Sequence, residues 1–268
     1  MTIAGSDSGG GAGIQADLKV IALLGGYGTS VITALTAQNT LGIQAIHPIP
    51  VAFIEKQLLS ILSDINVDAV KTGMLVRAEI VSLVARTLKR FNVQKLVLDP
   101  VMIAESGYPL LEEKAVQTLK GKLFPIAGLI TPNLSEASVL TGIPVRTRTD
   151  MKKAARIIKE KTRGKVLIKG GHLSGAAVDL FFDGEAFGEF SSPHIRNRNT
   201  HRTGCTLSAA IATFWGQGLS LIEALGKAKE FITMSIAAAQ AIGHGRGPTD
   251  PYAWLENNRP LAVGKPKS

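Results

Sequence analysis

Short runs of β-branched and aliphatic residues alternate with helix-length amphipathic segments along most of the chain. The β-rich runs fall at residues 1–4, 30–36, 44–47, 69–72, 95–98, 128–131 and 165–169. Between them, segments 13–24, 51–62, 78–91, 112–123, 135–141 and 150–161 carry helical spacing. In the last of these, Met151, Ala154, Ala155, Ile157 and Ile158 make one face and charges fill the other. Strand and helix in this rhythm predict a mainly parallel sheet covered on both sides, a three-layer α/β/α architecture. Residues 178–182 and 186–190, joined through Asp183-Gly184, predict an antiparallel hairpin at one edge. Two helices are expected after it, at 205–215 and 220–242. No linker, low-complexity stretch or internal repeat interrupts the pattern, so one domain over 1–268 is expected, with a loosely ordered tail from about 258.

In open α/β sheets, ligands bind beyond the carboxyl ends of the strands. The segments that follow the predicted strands are residues 5–13, Gln38-Asn39-Thr40, Gly73-Met74, Asp99-Pro100-Val101-Met102, Pro132-Asn133 and Gly170-Gly171-His172. Glycine and polar side chains therefore collect on one rim, which a purely structural chain has no reason to arrange.

Composition narrows the class. Hydrophobic residues make up 45% and charged residues 19%, enough for a buried core and wrong for a disordered chain. The net charge is +9, but the cations are scattered over predicted helices, and with 5% aromatic residues a stacking surface for nucleic acid is poorly supplied. Attraction of small anionic substrates is the milder implication. A single cysteine excludes an internal disulfide framework and fits a reducing compartment. No apolar run approaches the roughly 18 residues that span a bilayer, and the first residues show no signal-like core, so a cytoplasmic protein without membrane contact is expected.

The stretch with most chemistry is Thr200-His201-Arg202-Thr203-Gly204-Cys205-Thr206, a turn running into an alanine-rich helix. The first amides of a helix lack internal partners and face the positive end of its dipole, which suits phosphate. A thiol there has its thiolate favoured and becomes a candidate base or nucleophile, although a lone cysteine is equally a small buried hydrophobe. The glycine-rich loop at 5–13 fits neither a Walker loop nor a dinucleotide fingerprint. It reads as a tight strand-to-helix turn, or as backbone approaching a flat ligand with Asp17 bonding a ring substituent. Asp99 leaves a buried strand and needs a partner or a metal. Asn133 and Glu136, three apart where a strand becomes a helix, suit a Mg²⁺–phosphate assembly or a helix N-cap with its capping-box partner.

Taken together, residues 2–19, Thr36-Ala-Gln-Asn-Thr40, Lys71-Thr-Gly-Met74, Leu98-Asp-Pro-Val-Met102, Ile130-Thr-Pro-Asn-Leu-Ser-Glu136, Lys169-Gly-Gly-His172 and residues 203–210 resemble the hydroxymethylpyrimidine/phosphomethylpyrimidine kinases of thiamine biosynthesis, within the ribokinase-like superfamily. The likeness spans about residues 1–250 in the family's order. It implies ATP- and Mg²⁺-dependent phosphorylation of 4-amino-5-hydroxymethyl-2-methylpyrimidine and then of its monophosphate. By the same resemblance Gly5, Asp17, Gln38 and Met74 hold the pyrimidine, with Val101 packing nearby. Cys205 takes the hydroxyl proton, and the amides of Thr203, Gly204 and Cys205 form the anion hole. Asp99 and Glu136 organise Mg²⁺, directly or through water, and Asn133, Lys169, Gly171 and Lys229 serve the nucleotide. The superfamily also implies a homodimer.

The family usually reads His-Gly-Thr-Gly-Cys, and here Arg202 replaces the first glycine. If that glycine has positive φ, a side chain costs about 1–2 kcal/mol and crowds the site, which leaves a weakly active pyrimidine-binding protein as an alternative. Arg202 pointing outward, or adding a cation toward phosphate, is the benign case. Glu105 and Tyr108 replace the Lys and Asp often found at their positions. A pyridoxal or pyridoxine kinase is the nearest variant, because a flat ring with a hydroxymethyl arm fits the same slot.

Overall fold

The computed structural model describes residues 1–103, 108–171, 177–193, 195, 197 and 203–258. Among these residues nine strands form one sheet: β1 (Thr2–Asp7), β2 (Ser30–Asn39), β3 (Gly42–Pro48), β4 (Val70–Thr72), β5 (Leu96–Leu98), β6 (Leu129–Ile130), β7 (Lys165–Ile168), β8 (Ala177–Phe182) and β9 (Phe187–Ser192). Their order across the sheet is β3-β2-β1-β4-β5-β6-β7-β8-β9. Pairing is parallel from β2 through β7, as the strand–helix rhythm predicts. The predicted hairpin β8–β9 closes one edge, and a second antiparallel pair, β2–β3, closes the other.

Helices α1 (Gly13–Leu23), α2 (Val51–Leu62), α3 (Ala78–Arg90), α4 (Glu113–Thr118), α5 (Leu134–Thr141), α6 (Arg148–Lys159), α7 (Thr203–Gly216), α8 (Leu221–Ala237) and α9 (Ala253–Asn258) cover both faces. Strand alternation sorts the core into two layers. Leu96 and Leu98 of β5 face the layer of α2 to α6, while Val97 between them faces α1, α7 and α8. Among the described residues no helix is long and apolar enough to cross a membrane.

Three elements differ from expectation. The helix predicted over 112–123 is α-helical only through Thr118, then loosens into a π turn at Leu119–Leu123 and a 3₁₀ turn at Phe124–Ile126 that contains Pro125. The helix predicted over 220–242 ends at Ala237, because donors from outside take its last carbonyls: Asn197 Nδ2 bonds Ile236 O and Ala239 O, and Asp250 N bonds Ser235 O. The pattern gave no sign of α9, which is held by Trp254 lying edge-on against Phe214 and Phe231. Most of the predicted tail lies outside the described residues.

Chain direction reverses beside β1. The first crossover goes from β1 outward to β2, and the chain then returns to β4 on β1's other flank. That reversal opens a crevice at the strand carboxyl ends.

Candidate active site

The glycine-rich loop after β1 is organised by Asp7, a residue to which the sequence had suggested no role. Its Oδ1 accepts Gly9 N–H at 2.8 Å, and its Oδ2 accepts Gly11 N–H at 3.1 Å and Ala12 N–H at 2.8 Å. The carboxylate thus stands at the N-terminus of α1, where the helix dipole favours it. Gly13 is required twice over: its φ is +54°, and a Cβ there would collide with the Gly5 carbonyl. Gly5 in turn faces the Met74 methyl, so any side chain at Gly5 would occupy the space Met74 fills.

A cavity of about 720 Å³ opens at this rim. Its apolar end is bounded by Gly5, Gln38, Ile43, Met74, Val101 and Leu110. Gln38 is buried, with Oε1 3.2 Å from the Thr36 hydroxyl and its backbone tied to Ser8 in both directions. Four of the five residues expected to hold the ring therefore meet here.

Asp17 does not. It is 0% exposed and lies off the cavity wall, with Oδ2 accepting from Thr2 Oγ1 at 2.6 Å and both oxygens accepting from Lys71 Nζ at 2.9–3.0 Å. A carboxylate at that depth requires a partner of its own, and Lys71 is that partner. The expected bond from Asp17 to a ring substituent is replaced by an ion pair in which Lys71 occupies the wall. Burial raises the Asp17 pKa against the pull of Lys71 and Thr2. For Lys71, burial works toward deprotonation, but Asp17, Cys205 and Asp99 outweigh it and hold the pKa above the ordinary lysine value.

The other end is built on α7. Thr203, Gly204 and Cys205 form its first turn and line the same cavity as Gln38 and Asp99. A Cβ on Gly204 would stand 3.0 Å from Lys169 Nζ, so glycine is what lets that ammonium pack against the helix start. Lys169 Nζ lies 2.7 Å from Asp99 Oδ1, and Ser208 Oγ donates to Asp99 Oδ2 at 3.1 Å. Burial works against the Lys169 charge, but Asp99, Glu136 and Cys205 raise its pKa.

Asn133 and Glu136 form a complete capping box at the start of α5, with both bonds at 2.8 Å, and also line the cavity. Burial, with a further push from the Asp99 charge, brings the Glu136 pKa up to about 7, against Lys169 and the backbone N–H groups of Asn133 and Met102. Lys229 and Asp179 make a third buried pair at 2.8 Å, and Asp179 Oδ1 also accepts Gly170 N–H beside Gly171. Asp7, Lys71, Asp179 and Ser208 escaped sequence reasoning; a lysine inside a short strand of the parallel sheet was the one available signal. His172, Arg202 and Glu105 lie outside the described residues.

Among the described residues no cluster of three or more His, Cys, Asp or Glu side chains could cage a metal. Asp99 already engages both oxygens, so the donor set suits Mg²⁺ held chiefly by phosphate and water, with one or two carboxylates assisting. That is a fit for a nucleotide-borne ion.

A slot for a flat apolar group, facing a helix N-terminus and paired lysines across one cavity, defines a small-molecule phosphotransferase. The solved ADP complex of Bacillus subtilis pyridoxal kinase superposes with a TM-score of 0.88 at 40% identity, covering 94% of this chain and 97% of that one. The chain is 48% identical over 256 residues to the hydroxymethylpyrimidine/phosphomethylpyrimidine kinase of Rhizobium meliloti, covering 94% of this chain and 96% of that one. It is 52% identical over 260 residues to the thiamine biosynthesis bifunctional protein ThiED of Geobacter sulfurreducens, covering 97% of this chain and 53% of that protein. The chain thus spans about half the length of the bifunctional relatives it matches. The phosphomethylpyrimidine kinase family model matches residues 7–250, and the chain belongs to that family.

Proposed function

We propose that this chain transfers the γ-phosphoryl of ATP to the hydroxymethyl group of 4-amino-5-hydroxymethyl-2-methylpyrimidine, and then phosphorylates the monophosphate to the diphosphate for thiamine biosynthesis. The observation that carries the reading is that Cys205, at the start of α7, shares one cavity with the apolar slot of Gly5, Gln38, Met74 and Val101. Gln38 supplies the directional contact to the ring and Met74 packs on it. Cys205 takes the hydroxyl proton, and the first amides of α7 receive the transferring phosphoryl. Lys169, with Asn133, Gly171 and Lys229, serves the nucleotide. Mg²⁺, held with the help of Asp99 and Glu136, neutralises phosphate charge when bound. The proposal includes a single kinase domain over 1–268, a cytoplasmic location and a homodimer.

Mass spectrometry after incubation with ATP, Mg²⁺ and the pyrimidine tests the reading. Mono- and diphosphate products are expected, and no product refutes it. Cys205→Ala should lose about 10²–10⁴ in kcat, while a loss under about tenfold removes the base role. Pyridoxal is the second acceptor to assay, given the likeness to a pyridoxal kinase. Arg202→Gly assayed beside the parent decides whether Arg202 lowers activity.

A further inference from the structure

Among the described residues, three lysines line the cavity, each paired with a buried aspartate: Lys71 with Asp17, Lys169 with Asp99 and Lys229 with Asp179. For the second and third pairs, the aspartate also lines the cavity. The Lys71 pair differs. Asp17, 0% exposed, stands behind the wall, and Lys71, itself 1% exposed, is the member of the pair that lines the cavity. Two of the ammonium's three N–H groups go to Asp17, leaving one donor. Lys71 also has a distinct position. Its Nζ lies 3.0 Å from where a Cβ on Gly73 would stand, and Gly73 and Met74 belong to the ring slot. Cys205 and Asp99 of the transfer end line the same cavity, and, after the opposing effect of burial and the support of Asp17, their charges raise the Lys71 pKa. Lys71 therefore stands where the slot meets the transfer end.

We infer that Lys71 is the residue that lets one cavity accept a phosphate monoester as well as an alcohol; the inference rests on the function proposed above. In the first transfer, the alcohol oxygen bonds to the γ-phosphorus and the bond to the β–γ bridging oxygen breaks. ADP leaves, and the hydroxyl proton goes to Cys205. In the second transfer, the attacking oxygen belongs to a phosphate that is already ionised. One P–O bond forms, one breaks, ADP leaves, and no proton has to be removed. What the second acceptor brings is about −1.5 to −2 of charge, carried toward an anionic nucleotide. The requirement passes from a base to a cation, and Lys71 is the cation on the acceptor's side.

The test is the ratio of kcat/KM for the monophosphate to kcat/KM for the alcohol. It is measured in the parent, in Asp17→Asn/Lys71→Met and in Cys205→Ala. Removing both charges together avoids stranding a buried ion. The double variant should lower the ratio by about tenfold or more, mainly through KM for the monophosphate, whereas Cys205→Ala should raise it. If the double variant does not fold, Asp17→Asn/Lys71→Gln is read in the same way. A smaller fall overturns the Lys71 assignment alone, whereas a parent that phosphorylates the alcohol and never the monophosphate overturns it together with the second step of the proposed function. A parent with no turnover of the alcohol refutes the proposed function and takes this assignment with it.

Discussion

Asp7→Asn offers the most direct check on how the glycine-rich loop is held. The carboxylate accepts three backbone N–H groups, one on Oδ1 and two on Oδ2. An asparagine oxygen can occupy only one of those positions. The cheaper arrangement keeps Gly11 and Ala12 bonded and turns the amide NH₂ toward Gly9, which is exposed and can turn to water. One bond is then lost and two fall from charge-assisted to neutral strength, a loss of about 1 kcal/mol each. The sum is about 3 kcal/mol. In a chain of this size that lowers Tm by about 6–12 °C, readable by circular dichroism. KM for the ring substrate should rise as well, because the loop seats Gly13 and the start of α1 against the Gly5 carbonyl. A Tm within about 2 °C of the parent would refute the account of Asp7 as the organiser of the loop.

Two further outcomes follow from single side chains. Among the described residues, Thr72 Oγ1 is the buried side-chain polar atom without a hydrogen-bond partner, so Thr72→Val should gain about 1–2 kcal/mol in urea unfolding, and a loss of stability would contradict it. Glu136 has a folded pKa of about 7, above the ordinary glutamate value of 4.5, so its contribution to stability is complete below about pH 4.5 and is lost as pH rises through about 7. Glu136→Gln keeps the capping box and should flatten that part of the Tm–pH curve, whereas an unchanged slope between pH 5 and 8 would remove Glu136 as its source.

The strand and helix pattern was legible because burial on both faces of a parallel sheet leaves continuous apolar runs, and most element boundaries fall within a few residues of expectation. What the pattern could not show was pairing at a distance. Asp17 lies 54 positions from Lys71, Lys229 lies 50 from Asp179 and Ser208 lies 109 from Asp99. Asp17, Asp99 and Lys229 could be singled out one by one, but which residue each would pair with could not be read from the sequence. Asn133 and Glu136 show the opposite case: the spacing is local, so both of its consequences could be stated from the sequence, and the capping box is one that the structure contains. The π turn after α4 and the early end of α8 depend on tertiary contacts that periodicity does not encode.

The order of strands has a consequence for how such a protein changes over time. On the function proposed above, the cavity-lining residues within 4–74 and 101–110 meet the acceptor, whereas Asp99 and those within 133–236 serve the transfer end. These stretches scarcely interleave along the chain. Substitutions, or recombination near residue 120, can therefore exchange one recognised ring for another while the phosphoryl-handling half is inherited intact.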